Sequence, residues 1–263
     1  MDVATRLTLA HEAARTGAAV AEGGFRGEFT VESKKRKLDS VTEFDREVQR
    51  RLATLLREDD PDAAIVGEED LRDVETHSTI PDSGDAWIVD PIDGTNNFVV
   101  GNRIWGVAVS AVEGGDAVAA VNEFPALGDT YAAADDGTTR NGEPCSVSDT
   151  SDPETFTINP IYGLSAHHRR KLSEYVDTIA SEFGDSRRFG SSQFALSSVA
   201  AGELDAAVSG IRLAPWDTVG GVHLIRQAGG TVTDLDGEPW TPTSAGIIAS
   251  NGEAHDELVA AFD

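Results

Sequence analysis

Trp87-Ile-Val-Asp90-Pro-Ile-Asp93-Gly-Thr95-Asn-Asn-Phe98 decides how the rest of the chain is read. An apolar run of strand length, residues 86–90, delivers Asp90; a proline turn then delivers Asp93, followed at once by glycine and threonine. Such a turn can aim both carboxylates at one point. Hard divalent cations such as Mg²⁺ take oxygen ligands in octahedral geometry and keep several waters, so acidic side chains at a strand end make a partial cage. The carbonyl of Ile92 is a further candidate ligand. Gly94 permits close backbone approach, and a helix opening behind it would turn the N–H groups of Gly94 and Thr95 toward an anion, phosphate being the natural one.

Spacing excludes two common Asp-rich motifs. Haloacid-dehalogenase phosphatases need Asp-x-Asp after a strand, whereas Asp90 and Asp93 are separated by two residues; a calcium EF-hand needs polar ligands at alternate positions, and Ile92 breaks that. Asp234-Leu-Asp236-Gly237 has the Asp-x-Asp spacing but lies late in the chain and reads as a hairpin turn.

Outward from this turn, helical and strand periodicities alternate along the whole length with no internal repeat, which places the chain in the α/β (α+β) class. Residues 2–22 form an amphipathic helix that Gly23-Gly24 would stop in a left-handed conformation. Residues 25–42 read as an extended, basic-rich segment. Thr42 is the N-cap of a second helix with Phe44, Val48, Leu52 and Leu55 on its apolar stripe, closed by Pro61. AAIVG (63–67) reads as a strand ending in carboxylates, and residues 104–134 as an antiparallel meander. The polar stretch SDTSDP (148–153) divides the chain into an N-terminal half, 1–150, and a C-terminal half, 151–263. Beyond it come helices near 166–183, 191–201, 217–228 and 253–262, and strands near 205–209, 231–233 and 246–250.

The 263 residues carry 46 Asp and Glu against 21 Lys and Arg, a formal charge of −25. That field repels polyanions and disfavours nucleic-acid partners. Only four basic residues are lysines, three of them Lys34, Lys35 and Lys37. An acid-rich, lysine-poor surface suits a salt-rich cytoplasm, where screening over about 3 Å at 1 M salt suppresses self-repulsion. No run approaches the roughly 18 apolar residues of a membrane helix, and the charged opening is neither anchor nor signal peptide. A single cysteine, Cys145, excludes an internal disulfide framework and suggests a reducing compartment. The expected location is cytoplasmic.

The segment Trp87–Phe98 resembles the metal-binding signature of the inositol monophosphatase family, Mg²⁺-dependent and often lithium-inhibited phosphatases of inositol and sugar phosphates. Four other stretches, in the family's order, carry the same resemblance: Val41-Thr42-x-x-Asp45; Gly67-Glu68-Glu69; Arg188-Phe-Gly-Ser-Ser192 with Val199-Ala-x-Gly202-x-x-Asp205; and Trp216-Asp217 with Gly220-Gly221 and Ala228-Gly229-Gly230. The resemblance implies a layered α/β/α/β/α sandwich of the inositol monophosphatase/fructose-1,6-bisphosphatase type, commonly a homodimer. By matching position, Glu68, Asp90 and the Ile92 carbonyl would hold one Mg²⁺, and Asp90, Asp93 and Asp217 a second, with room for a third, weaker ion near Glu68. Glu68, Asp45 and Thr95 would be catalytic, Asp45 orienting the Thr95 hydroxyl toward the attacking water. Gly94, Thr95, Ser191, Ser192, Arg212 and Asp217 would contact the substrate.

Specificity is read from what departs from the pattern. Inositol-preferring relatives usually carry a glutamate seven residues before the second-signature aspartate; that position here is Gly210, and nearby Arg212 can pair with a second phosphate. The expected substrate is a small phosphate ester, inositol 1-phosphate or fructose 1,6-bisphosphate. A 3′-phosphoadenosine 5′-phosphate phosphatase and a catalytically silent metal-binding scaffold are the alternatives. Bland readings attach to the remaining polar residues: Glu69 and Asp70 facing solvent or backing the site, Trp216 packing beneath it, Lys34–Lys37 a solvated basic face, His167-His168 surface residues, and Cys145 a half-buried strand residue.

Overall fold

The computed structural model describes residues 1–33, 40–81, 83–163 and 165–262; the Lys34–Lys37 run lies outside them. In chain order the elements are α1 (Val3–Gly24), β1 (Val31–Ser33), β2 (Ser40–Thr42), α2 (Glu43–Asp59), β3 (Ala64–Gly67), β4 (Asp85–Asp93), α3 (Thr95–Val99), β5 (Gly106–Glu113), β6 (Asp116–Phe124), β7 (Asp129–Ala134), β8 (Gly137–Arg140) and β9 (Glu143–Cys145). The second half continues with β10 (Thr157–Pro160), α4 (Ala166–Glu182), β11 (Asp185–Ser186), α5 (Ser192–Ala200), β12 (Ala206–Ser209), α6 (Pro215–Gln227), β13 (Thr231–Thr233), β14 (Ile247–Ser250) and α7 (His255–Phe262).

These elements stack in five layers. A seven-stranded sheet in the order β3-β4-β5-β6-β7-β8-β9 is antiparallel except for the parallel β3–β4 pair. A five-stranded mixed sheet runs β11-β10-β12-β14-β13. Helices α1 and α2 bury Leu9, Val48, Leu52 and Leu56 against Trp87, Val89 and Val109 on one face of the large sheet. Its other face packs Ile88, Phe124 and Tyr131 against α5 and α6, whose far sides meet Ala207, Val232 and Ala249 of the small sheet. Helices α4 and α7 close the outside through Tyr175, Ile179, Leu258 and Phe262. The result is the α/β/α/β/α sandwich that the resemblance implied. Among the described residues no helix is long and apolar enough to cross a membrane.

The helix after Thr42 forms as read. Its N-cap hydroxyl accepts from Phe44 and Asp45 N–H, and the Asp45 carboxylate reaches back to the Thr42 N–H at 2.7 Å, a capping box. The stop of α1 differs from the expectation: neither Gly23 nor Gly24 is left-handed, and the residue with positive φ is Arg26 (φ 62°). Gly24 is needed for space instead, because a Cβ there would lie 2.2 Å from the Phe44 ring. Strands β10 and β11, too short to show a period, were not legible in the sequence.

Candidate metal centre and active site

Parallel pairing of β3 and β4 brings two strand ends together, with Gly67 opposite Val89, so Glu68 and Asp90 emerge side by side. Gln49 on α2 fixes the loop behind Glu68: its side chain accepts from Glu69 N–H at 2.7 Å and donates to the Glu69 carbonyl at 2.5 Å. Glu69 is buried, and only Asp70 faces solvent, which narrows the expectation for that pair. At the end of β4 the ladder to β5 slips between Asp90 and Asp93, so both carboxylates leave the sheet toward the same side. Gly94 follows at φ 84°, where a Cβ would meet the Ile104 carbonyl at 3.0 Å and Ser191 Cβ at 3.2 Å. Only glycine satisfies both the conformation and the space.

Helix α3 starts at Thr95, and its apolar residue Phe98 is fully buried in a cluster with Phe25, Phe29, Phe44 and Trp105, edge-on to Trp105 at 4.9 Å. This cluster anchors the turn from below. The Thr95 hydroxyl lies 3.1 Å from Asp45 Oδ1 and 3.0 Å from the Ile92 carbonyl. Asp45 is fully buried, and its other oxygen accepts from the Thr42 N–H and hydroxyl. The carboxylate therefore serves both as capping partner of α2 and as orienter of Thr95.

Carboxylate oxygens of Asp90, Asp93 and Asp217 lie within 4.8 Å of one another, so three side chains distant in sequence meet at one place. Glu68 lines the same cleft but stands outside that trio. Asp217 occupies the first turn of α6, where its Oδ2 accepts from Ala214 N–H at 3.3 Å. Asp93 is held by the start of α5: Oδ1 accepts from Ser192 N–H (3.1 Å) and Ser192 Oγ (3.0 Å), and Oδ2 accepts from Gln193 N–H (3.0 Å) and Ser191 Oγ. Ser192 Oγ also lies 3.1 Å from Asp217 Oδ1, so one hydroxyl sits between two carboxylates. Burial pushes the Asp93 carboxyl up, against the downward pull of those hydrogen bonds. An all-oxygen donor set this dense fits a hard divalent cation, whose charge offsets the crowding of three carboxylates.

The trio lies on the wall of a cleft of about 820 Å³ that also takes in Gly94, Thr95, Ser191, Ser192, Arg188 and Arg212. Every expected contact residue therefore borders one cavity, except Asp45, which stands behind Thr95. Arg188 and Arg212 are exposed on it. His168, expected at the surface, is half-buried and lines the cleft, because α4 enters beside Gly163. Trp216 packs partly buried beneath the site as expected. Gly210 is pinned between two tyrosines: its N–H donates to Tyr162 Oη at 3.0 Å, and a Cβ would lie 2.4 Å from Tyr175 Oη. No side chain fits at 210 unless Tyr175 moves. Asp234 is a turn residue, its carboxylate accepting from the N–H groups of Asp236 and Glu238.

The Inositol monophosphatase family model matches residues 2–263. A fructose-1,6-bisphosphatase/inositol-1-monophosphatase of Thermotoga maritima is 34% identical over 231 residues, 87% of this chain and 84% of the relative. An inositol-1-monophosphatase of Bacillus subtilis is 30% identical over 234 residues, 86% of this chain and 84% of the relative. Among solved structures, an IMPase of Thermotoga maritima superposes with a TM-score of 0.86 at 31% identity, covering 98% of this chain and 96% of that one.

Proposed function

The chain belongs to the inositol monophosphatase family, phosphate monoester hydrolases of inositol and sugar phosphates, and from that premise we propose that it hydrolyses inositol 1-phosphate and fructose 1,6-bisphosphate with two Mg²⁺ ions. The observation that carries the reading is the convergence of Asp90, Asp93 and Asp217 beside an oriented Thr95–Asp45 pair. Glu68, Asp90 and the Ile92 carbonyl would hold one ion, and Asp90, Asp93 and Asp217 the other. Bound Mg²⁺ supplies neutralisation of the ester dianion, a more acidic water and a stabilised leaving oxygen.

The protein's own groups do the rest. Asp45 holds the Thr95 hydroxyl so that its oxygen faces the cleft and takes a proton from the attacking water, passing its own to Asp45. The N–H groups of Gly94 and Thr95 position the phosphoryl oxygens at the opening of α3. In-line attack forms the new P–O bond as the ester P–O bond breaks; the leaving oxygen takes a proton from solvent water and Asp45 gives its proton back to solvent, so inorganic phosphate and the free alcohol are released without a covalent enzyme intermediate.

A preference that includes a bisphosphate is supported by two features of the stretch 210–212. Tyr175 fills the space of a residue-210 side chain, so no carboxylate there can read ring hydroxyls, and Arg212 offers a planar two-donor partner for a second phosphate. We further take the protein to act as a homodimer in a reducing, salt-rich cytoplasm, a reading supported by the family resemblance, the single cysteine and the acid excess. Phosphate release should be measured with Mg²⁺ on inositol 1-phosphate, fructose 1,6-bisphosphate and 3′-phosphoadenosine 5′-phosphate. Turnover of the first two is expected, with Arg212→Ala raising KM for the bisphosphate only. Turnover confined to the nucleotide, or none with any divalent ion, overturns the reading.

A further inference from the structure

Gln193 is 1% exposed, and each of its three mobile or backbone polar groups that the fold could leave idle is engaged with a different element. Its N–H donates to Asp93 Oδ2 at 3.0 Å. Its side-chain Nε2 donates to the carbonyl of Trp216, the residue before Asp217, at 2.5 Å. Its Oε1 accepts from Asn122 Nδ2 at 2.9 Å, in the middle of β6. Asn122 is fully buried and also donates to Ser197 Oγ at 3.0 Å, one turn further along α5. Opposite, Gly220 of α6 comes so close that a Cβ would lie 2.7 Å from Ser110 Oγ and 3.5 Å from Gln193 Oε1.

Asp93 and Asp217 arrive on separate elements, the end of β4 and the first turn of α6. Apolar packing between α5 and α6 is non-directional and tolerates small slides; a buried amide with fixed partners on both sides does not. We propose that Gln193 is a positioning residue that sets the separation of Asp93 and Asp217, and through it the affinity for the divalent cation they share, without itself touching ion or substrate. The proposal rests on the metal-assisted reading above.

The test uses Gln193→Met, which keeps length and apolar packing but removes both side-chain hydrogen bonds. Mn²⁺ binding is titrated by electron paramagnetic resonance, the Mg²⁺-dependent rise in melting temperature is recorded, and activity is followed against Mg²⁺ concentration. One hydrogen bond's worth of stabilisation, if it is lost from the ion-bound arrangement and not from the ion-free one, corresponds to about tenfold in affinity. The expected result is a tenfold weaker Mn²⁺ affinity, a matching rise in the Mg²⁺ needed for half-maximal stabilisation and activity, and kcat at saturating Mg²⁺ within about threefold of wild type. Asn122→Ala, which frees the anchor but leaves Gln193 in place, should weaken affinity in the same direction and decides the matter if Gln193→Met does not fold. Wild-type affinity in the folded variants, with or without lost stability, overturns the proposal. Absence of Mn²⁺ binding in the wild type overturns the metal-assisted reading instead.

Discussion

Replacing Asp217 by Asn separates the burden the carboxylate trio places on the fold from its part in the reaction. Oxygens of Asp90, Asp93 and Asp217 lie within 4.8 Å of one another, and two unit charges at that distance repel by about 3 kcal/mol at an effective dielectric of about 20. Asp217 faces two such neighbours but is only half-buried, so solvent and salt reduce the relief on removing its charge to about 2–3 kcal/mol. Asn keeps one acceptor for Ser192 Oγ or Ala214 N–H, and the weakened cap of α6 costs about 1 kcal/mol. Without divalent ions the variant should therefore be more stable by about 1–2 kcal/mol, a melting point higher by roughly 2–8 °C for a chain of this size. With millimolar Mg²⁺ the order reverses, because the wild type is stabilised by both ions and the variant only by the one that Glu68, Asp90 and the Ile92 carbonyl would hold. Phosphate release should fall by at least about two decades. Scanning calorimetry in EDTA and in Mg²⁺, paired with a phosphate-release assay, reads all three. A variant that melts below wild type in EDTA, or that gains the same Mg²⁺ shift, refutes the electrostatic reasoning.

Thr95→Val, which removes the hydroxyl held by Asp45, should lower kcat by about 10²–10⁴ at saturating substrate and Mg²⁺, whereas Thr95→Ser keeps most of the rate; equal losses in both would assign Thr95 to packing. Burial holds the His223 imidazole down at about 4. The native state then binds the proton less readily than the unfolded chain, so this contribution is complete above the ordinary value near 6.5 and declines as pH falls from there toward 4. Between pH 7 and 5 it amounts to about 2 kcal/mol, and urea melts of His223→Gln should show that much less acid destabilisation than wild type. Parallel pH profiles would contradict it. Because the chain carries a formal charge of −25, its melting point should rise by several degrees from dilute buffer to molar KCl; identical midpoints would remove the inference of a salt-rich habitat.

Much of this arrangement is legible in the sequence, and the physical reason is locality. Residues 87–98 encode strand, bulge, left-handed glycine and helix start within one short stretch, so Asp90, Asp93, Gly94 and Thr95 are positioned by neighbours in sequence. The capping box of Thr42 and Asp45 is likewise local. Convergence of Asp217 on the pair is not local, and only the resemblance pointed to it. Gln49 leaves no mark in the sequence because an amide in an apolar surround has no sequence period, and Gln193, which stands out there only as a large residue at a position that is often small, has a role that exists only through partners on other elements. The resemblance makes Ser191 and Ser192 substrate contacts; in the structure their hydroxyls donate to Asp93, and that of Ser192 also lies beside Asp217, a link between elements that no local pattern announces. Gly210 shows the same limit from the other side. The missing carboxylate is visible in the sequence, but the tyrosine that occupies its space is not, since Tyr175 reaches the position from α4.

Crystals soaked in Mn²⁺ and measured at a wavelength where manganese scatters anomalously test the central claim most directly. Anomalous peaks about 2.0–2.3 Å from oxygens of Asp90, Asp93 and Asp217, with a further peak joining Glu68 to Asp90, are the predicted result. A difference map with no peak at these carboxylates, or with manganese bound only elsewhere on the acidic surface, would contradict it.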